Sequence, residues 1–591
     1  MKRVLLLAFL LFSIFAFSQS EEIADDYFKR GEFEKALITY QKLSENNNNL
    51  NLFYKIISTL QQLERYDEAQ NVIVDLMAKY KLPTLLVEMG YNYQLKDSLD
   101  ISNQYYQKAV SFSEENPAYT SSIANQFEKY SLLDEAIVVY KKGMESLPDS
   151  NFNIQLARIY GEQGNVELMF SNYLDYIEAR PTFLNNSKRA FSEFISENKD
   201  NENNIILRRL LLKKIQTQPD TYWYELLSWL FVQEKEYDKS FTQEKALYKR
   251  NPESLDRVIE LAVNAINSKA YGIAHDIFSY VLENTQDVQT ILLAHQYLLD
   301  IETSNASQKE LLEIDKKYQE LFKQFGTYEQ TLALQIAYGH FLAFNLHKPE
   351  EASQFLKQSL KLNLSAFQEA TVKLKLGDIL VLQERFNEAL IFYTQIQANL
   401  KNSTISQEAR FKVAKTSYYK GDFDWAESQL KILKSSTSQL LANDALDLKL
   451  LISDNKYDDS LHVALKLYAK ADLMAFQNKP DEAVSLLDTI LTEHKGETII
   501  PQALFKQAQL FEQKKQFDKA VANYQSIIAN YGYGILVDDA CYFLAELYNN
   551  QLAEPEKAKE FYEKIIFNHE DSIYFLDARK KFRMLRGDSI N

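Results

Sequence analysis

The sequence predicts an all-α protein built from antiparallel helix pairs stacked one on the next. Three observations predict this class: a recurring four-residue pattern, prolines placed only where helices would begin, and few turn-forming residues. Gly and Pro number 14 and 10 among 591 residues, where ordinary usage would be about 12% of a chain. This scarcity excludes collagen-like, low-complexity and turn-rich all-β chains, and a hydrophobic content of 46% excludes wholesale disorder.

The first eighteen residues have the pattern of a secretory signal peptide. Lys2 and Arg3 form a basic start, and residues 4–17 form an apolar run. Ala16 and Ser18 are the small residues at the −3 and −1 positions of a cleavage site. We expect a mature chain that starts at Gln19, with Glu21 as the alternative, exported to the periplasm or beyond the cell. Because the run is shorter than the roughly 20 residues of a spanning helix, an uncleaved anchor is the less favoured interpretation. No later stretch resembles a membrane span, so we expect none in the mature chain.

A four-residue pattern recurs along the rest of the chain. It begins with an aromatic residue, Leu or Pro and ends with a small residue. The small residues are Ala36, Ala69, Ala136, Ser240, Ala274, Ala352, Ala389, Ala426, Ser460, Ala483, Ala520 and Ala558, with weaker copies at Ser102 and Met169. The spacing is 33 or 34 residues near the N-terminus and 37 or 38 near the C-terminus. A nearly fixed period of this size indicates a helical repeat array.

The small residues have a steric reason. Two helices joined by a short turn can approach closely only where the facing side chains are small, as at Ala124 and Ala136. Phe127 and Tyr140 would then fill the space beside them and reach the next pair. Since one pair cannot bury its own apolar face, stability has to come from stacking.

Proline placement supports the same helices, because proline is tolerated in the first turn of a helix. Seven prolines precede predicted first helices: Pro83, Pro117, Pro148, Pro181, Pro219, Pro252 and Pro501. Pro349, Pro480 and Pro555 would open second helices.

These segments resemble tetratricopeptide repeats. The copy around Ala136 carries the family's small and aromatic positions at Ala124, Phe127, Ala136, Tyr140 and Pro148, and other copies include Gly90, Tyr93, Ser102 and Tyr106. The resemblance covers most of residues 21–570. It implies a right-handed α-solenoid of about 12 to 16 helix pairs.

The pattern fades over residues 182–218, 287–330 and 438–477, where helical spacing remains. Two helices are predicted near 288–302 and 307–325, ended by Gly326, and a change of path is expected near 330 and again near 440–460. The predicted organisation is a signal peptide (1–18), an N-terminal array (19–286), an irregular helical connection (287–345), a C-terminal array (346–570) and a capping helix with a tail (571–591).

The C-terminal part resembles bacterial envelope repeat proteins of the outer-membrane assembly type. The likeness lies in Asp538-Asp539-Ala540, in residues 558–566 and in residues 571–579. No cysteine lies near the predicted cleavage site to accept a lipid, which departs from that type. The basic run 579–586 is interpreted as a capping helix, with contact to an acidic partner or an anionic lipid surface as the alternative.

The catalytic and metal-binding motifs that the sequence lacks favour a protein that is not an enzyme and that uses no metal or cofactor. The seven histidines form no His-Glu-x-x-His motif, no phosphate-binding loop occurs, and the single cysteine, Cys541, lies in an apolar pattern typical of a buried side chain. The formal charge of −16 argues against nucleic-acid binding, which needs a basic face. A catalytic site within residues 287–345 is the alternative.

The resemblance also suggests where a partner would bind. In this family, certain positions of each first helix line the concave groove, and these positions hold Tyr54, Tyr91, Asn125, Arg158 and Trp229 here. Such side chains combine contact area with directional hydrogen bonds. The predicted function is an exported scaffold for protein–protein contacts in the bacterial envelope, with peripheral association with the envelope as an option. A carrier or receptor for a small peptide or glycan is the alternative.

Overall fold

The computed structural model describes residues 21–46, 49–147, 149–304, 306–433, 439–457 and 461–588. The predicted signal peptide and Pro148 lie outside these ranges. Within them, every regular element is a helix, as the sequence predicted.

The chain divides into two compact units, the first ending at Ile277 and the second beginning at Phe278. The helices of the first unit are α1 (residues 21–29), α2 (Phe33–Asn46), α3 (Leu50–Gln62), α4 (Tyr66–Tyr80), α5 (Thr84–Leu95), α6 (Leu99–Glu115), α7 (Thr120–Lys129), α8 (Leu133–Ser146), α9 (Asn153–Glu162), α10 (Val166–Ala179), α11 (Leu184–Phe191), α12 (Glu202–Thr217), α13 (Thr221–Gln233), α14 (Tyr237–Arg250) and α15 (Asp256–Asn267). Helix α16 (Tyr271–Asn284) contains the division. The predicted boundaries at 286 and 345 stay predictions.

The second unit continues with the same kind of element. Its helices are α17 (Val288–Ser304), α18 (Gln308–Phe325), α19 (Leu332–Phe344), α20 (Pro349–Ser359), α21 (Ala366–Leu382), α22 (Phe386–Asn399), α23 (Thr404–Lys420), α24 (Phe423–Ile432), α25 (Gln439–Asn455), α26 (Val463–Phe476), α27 (Pro480–Glu493), α28 (Ile500–Gln513), α29 (Phe517–Asn530), α30 (Val537–Asn550), α31 (Pro555–Asn568) and α32 (Phe575–Arg586).

The recurring pattern marks the start of the second helix in each pair. Helices α2, α4, α8, α14, α16, α20, α22, α24, α27, α29 and α31 all begin at the first residue of a predicted copy. The small residue that ends each of these copies is fully buried. The copy at 457–460 differs, since Tyr457 follows α25 and residues 458–460 lie outside the described residues.

The turn inside each pair explains why the two helices run antiparallel. Two residues before α4, Glu64 adopts a left-handed conformation (φ 59°). The next N–H, that of Arg65, then donates to the carbonyl of Leu60 at 2.9 Å, which closes α3. Asp97, Ser131, Lys235 and the other equivalent positions repeat this geometry. Glycine takes the position at Gly31, Gly164 and Gly421, where its lack of Cβ makes a positive φ easy.

Within the described residues, the segments with a faded pattern consist mainly of helices, as predicted. Helices α17 and α18 match the two predicted helices, and Gly326 ends α18 with φ 74°. In the second unit, the end of α26 meets much earlier helices: the ring of Phe476 lies 5.7 Å from that of Phe344 on α19. Gln477 Nε2 also donates to the carbonyl of Leu382 at 3.1 Å. The chain therefore brings the end of α26 back to α19 and α21. The predicted changes of path near 330 and near 440–460 stay predictions.

Candidate partner-binding site

Two of the predicted binding residues, Tyr54 and Tyr91, belong to one cluster in the first unit. We name it the Glu88 cluster: Tyr54 on α3, Glu88 and Tyr91 on α5, Lys129 on α7, and Tyr130 directly after α7. The cluster joins the first helices of three successive pairs. Tyr54 and Tyr91 are half-buried, and each contacts a residue of a neighbouring repeat.

Glu88 is the centre of the cluster, and its side chain is fully buried. Its carboxylate accepts hydrogen bonds from the Lys129 ammonium at 3.0 Å and from the Tyr130 hydroxyl at 2.6 Å. The Gln126 amide donates a third bond at 2.5 Å. A buried carboxylate is stabilised only when it is paired and hydrogen-bonded in this way, so Glu88 fixes α7 against α5.

The aromatic rings of the cluster hold the lysine side chain between them. The rings of Tyr91 and Tyr130 stack with centroids 3.8 Å apart. Lys129 Nζ lies 4.7 Å from the Tyr130 ring centroid and 5.4 Å from that of Tyr54, which suits cation–π attraction. Burial, followed by the nearby negative charge of Glu88, raises the pKa of Tyr130 far above its usual value, so this phenol stays a hydrogen-bond donor.

A cavity of about 480 Å³ adjoins the cluster at the N-terminal end of the described chain. Phe28, Tyr40 and Tyr54 supply aromatic walls. Lys55 projects into it and pairs with Glu21 at 2.9 Å and with Asp25 at 2.6 Å. The size and the mixed aromatic and polar lining are those of a pocket for a small ligand or a side chain.

Asn125 and Arg158, two further predicted binding residues, form a separate exposed pair of positions on α7 and α9. Asn125 Oδ1 accepts a hydrogen bond from the Tyr140 hydroxyl at 2.9 Å. Arg158 forms an ion pair with Glu128, whose other oxygen accepts from Tyr140 at 2.7 Å. Because about half of the Arg158 side chain remains exposed, this guanidinium can exchange its partner for an incoming group at small cost.

Trp229, the last predicted binding residue, lines a different cavity of about 210 Å³ in the first unit. Its ring centroid lies 6.5 Å from that of Phe191. Beside it, Glu225 pairs with Lys188 at 2.6 Å and with Arg257 at 3.1 Å. The five predicted residues therefore fall into three places, and their role in binding stays a prediction.

Several lysines of the second unit have carboxylate partners. Asp378 accepts from Lys412 at 3.0 Å and from the Tyr393 hydroxyl at 2.8 Å. Lys375 differs: its ammonium lies 3.4 Å from His340 Nδ1 and forms no ion pair within the described residues. Burial, followed by the charge of Lys375, lowers the pKa of His340 to about 4, so this imidazole is neutral at pH 7.

Asp472 offers a test of these lysine pairs through pH. Burial raises the pKa of Asp472, but Lys415 at 2.6 Å and Lys506 at 2.7 Å outweigh it and lower the value to about 2. A carboxylate with a lowered pKa stabilises the folded state above its unfolded pKa of about 4, and this contribution is lost as the pH falls toward 2. We therefore expect the stability difference between the wild type and Asp472→Asn to shrink by about 2 kcal/mol between about pH 5 and pH 2.

The measurement is urea unfolding of both proteins over that pH range. Asp481→Asn serves as the control, because Asp481 pairs with Lys514 but is 82% exposed, where an ion pair contributes little to stability. A constant difference between the wild type and Asp472→Asn would contradict the assigned ion pairs.

Sequence reasoning did not find Glu88, Asp378 or Asp472, although a signal for such pairs was present. Opposite charges recur one repeat apart: Glu21 and Lys55 lie 34 residues apart, as do Asp378 and Lys412. A repeat that stacks on the next brings equivalent positions side by side. A scan for opposite charges at the repeat period would have found these contacts, but not Lys129, which reaches Glu88 from 41 residues away.

The described residues hold no group of three or more His, Cys, Asp or Glu side chains arranged to hold a metal ion. Cys541 is buried, as predicted, and burial raises the pKa of its thiol to about 11. Among the helices described, none combines the length and the apolar character that crossing a membrane requires.

Comparison with known proteins locates repeats of one family. No curated protein matches the sequence. Among solved structures, the hetero-tetramer Cut9-Hcn1 of the APC/C matches with 12% identity, covering 95% of each chain, at a TM-score of 0.25. Naa15/Naa10 bound to HypK-THB matches with 12% identity, covering 96% of this chain and 92% of the other, at a TM-score of 0.30. Because both TM-scores are low, these two structures support no conclusion about function.

Two sequence segments match family models directly. Residues 502–532 and 538–566 each match a model described as tetratricopeptide repeat. The first segment forms the pair α28 and α29, and the second forms α30 and α31. The chain therefore carries tetratricopeptide repeats in these two adjacent helix pairs, within an array of helix pairs built with the same turn and the same buried small residue.

Proposed function

We propose that this chain is an exported scaffold that binds partner proteins in the bacterial envelope, mainly through the first helices of the first unit. The observation that supports it best is the run of polar and aromatic side chains along α3, α5, α7 and α9. Helices α28–α31 match a repeat family used for protein–protein contacts. Asn125 and Arg158 are exposed on this run, and the Glu88 cluster holds the helices beneath them in place.

Cross-linking in living cells tests this proposal. A photoreactive residue at Arg158 is expected to capture a partner protein, because the position is exposed and, among the described residues, pairs with one carboxylate, that of Glu128. The matched control is Val138, which is also exposed but lies on the second helix α8. Cross-links of equal yield from both positions, or none from Arg158, would count against the proposal.

Export is tested in the same cells. Mass spectrometry of the cross-linked chain should find Gln19 as its first residue, in a periplasmic fraction. A chain that retains residues 1–18 in the cytoplasmic fraction would remove the envelope from the proposal while leaving the scaffold role to the cross-links.

The cavity beside Tyr54 supports a second candidate, a carrier or receptor for a small peptide or glycan. The cavity has a volume of about 480 Å³ and is lined by aromatic and charged side chains, which fit such a ligand. Adding short peptides or envelope glycans to the protein in solution should then raise its melting temperature, since a ligand that binds only the folded state stabilises it. No shift with any of them would reject this candidate.

A further inference from the structure

The last helix, α32, is fixed to the array by one face only. On that face Ala578 is fully buried, and Phe582 and Leu585 pack against the core of the second unit. Lys581 Nζ bonds to Glu546 at 2.7 Å and to the Tyr542 hydroxyl at 3.0 Å, both on α30. The position and rotation of α32 are therefore set, and its opposite face points outward.

The outward face carries large apolar side chains. Leu576 is 77% exposed, Met584 is 57% exposed, and Ile573, just before the helix, is 86% exposed. Residues 576, 580 and 584 share one side because a helix turns once in about 3.6 residues. Leu576 and Met584 lie on this side of the helix and Ile573 lies just before it, so the exposed apolar character of this segment is not confined to one side chain.

A neighbouring loop adds to this row. Tyr533 and Ile535, in the loop before α30, are both exposed. The Tyr574 hydroxyl donates to Asp539 Oδ1 at 2.9 Å, and the rings of Tyr574 and Tyr542 stack with centroids 4.2 Å apart. These contacts place the start of α32 beside the start of α30, so the two exposed loops lie on the same edge of the array.

The same face is basic in an otherwise acidic protein. Arg579 and Lys580 are exposed and form no ion pair with any described residue. Within residues 575–588 the two acidic residues are already paired, Asp577 with Lys581 at 2.7 Å and Asp588 with Arg586, whereas the exposed Glu570 and Asp571 lie on the N-terminal side of Ile573. The uncompensated charge of α32 is therefore positive, beside Leu576 and Met584.

We propose that this face, consisting of Ile573, Leu576, Arg579, Lys580 and Met584, docks on the surface of an anionic lipid bilayer. Cations attract the phosphate headgroups, and the apolar side chains insert between them, as in helices that lie in a membrane interface. At physiological salt, charges more than about 8 Å away are largely screened. The local positive face then outweighs the repulsion from a chain with a net charge of −16.

Other occupants fit the face less well. A second copy would bring Arg579 and Lys580 against the same two cations, which repel each other. An acidic peptide could pair with the cations, but a single convex helix would hold it from one side and leave Leu576 and Met584 largely in water. A bilayer surface contacts all of these side chains at once.

Vesicle flotation tests the proposal with the chain that begins at Gln19, which lacks the apolar N-terminal run. We expect binding to vesicles with about one third phosphatidylglycerol, little binding to pure phosphatidylcholine, and weaker binding as salt rises from about 50 to 500 mM. Arg579→Glu with Lys580→Glu should weaken binding at least tenfold, because each basic residue near the surface contributes about a fivefold factor. Leu576→Ser with Met584→Ser should weaken it severalfold at every salt concentration.

Lys361→Glu with Lys401→Glu is the matched control, since it changes the net charge equally at two other exposed positions of the second unit. It should bind as the wild type does. Circular dichroism checks that each variant is folded. No binding to anionic vesicles at low salt, equal losses in the control and the α32 charge variant, or binding to an acidic peptide without binding to vesicles would each overturn the proposal.

Discussion

Replacing Ala136 with glutamate is expected to destabilise the first unit by about 4 kcal/mol. Ala136 is fully buried on α8, and Ala124 is fully buried on the facing helix α7. Phe127 and Tyr140, both almost fully buried, occupy the remaining space. A glutamate side chain would have to force the two helices apart or leave a charge without water, and both outcomes cost several kcal/mol.

Urea unfolding followed by circular dichroism, together with hydrogen exchange of α7 and α8, measures this effect. Val138→Glu is the control, because it introduces the same charge on the same helix at a position that is 40% exposed, where the change should stay within about 0.5 kcal/mol. Since stacked repeats unfold partly as separate units, the loss of exchange protection should be largest in α7, α8 and their neighbours. Equal stability of the two variants would contradict the assigned packing.

The sequence predicted where the second helices lie because their positions follow from local chemistry. A small residue has to meet the preceding helix, and an aromatic residue or proline has to begin the turn, so the four-residue pattern is visible without any neighbour. The starts of α4 at Tyr66 and α27 at Pro480 show this for both kinds of first residue. Helices α17 and α18 were also predicted, since apolar spacing alone indicates a helix.

The contacts within the candidate site could not be predicted from the sequence, because they form between repeats. Tyr54 and Tyr91 were predicted to line a groove, but the cluster that they share through Lys129 and Tyr130 was not predicted. That arrangement requires a buried carboxylate, Glu88, which composition and periodicity do not distinguish from an exposed one. The ring contact between Phe476 and Phe344 joins residues that are too far apart along the chain for a repeat period to predict the contact.

The second large effect is expected at Gly377, on α21, where replacement with alanine should destabilise the second unit by about 3 kcal/mol. A Cβ atom there would lie 2.4 Å from Cε1 and 2.6 Å from Cζ of Tyr393. This ring cannot move aside, because it is fully buried and its hydroxyl donates to Asp378 Oδ1 at 2.8 Å. Asp378 is held in turn by Lys412 at 3.0 Å.

Gly272→Ala is the matched control, because its expected effect on stability differs in sign from that of Gly377→Ala. Gly272, on α16, is exposed, and a Cβ atom there would meet nothing within 4 Å. In a helix, alanine is favoured over glycine by about 1 kcal/mol, so Gly272→Ala should be neutral or stabilising while Gly377→Ala is destabilising. The same substitution thus separates helix propensity from packing, and a stabilised Gly377→Ala variant would show that Tyr393 does not fill this space.

Gly90 and Tyr106 repeat the contact in the first unit at 2.4 Å, so Gly90→Ala should behave like Gly377→Ala if close approach between the two helices of a pair is a general requirement of the array.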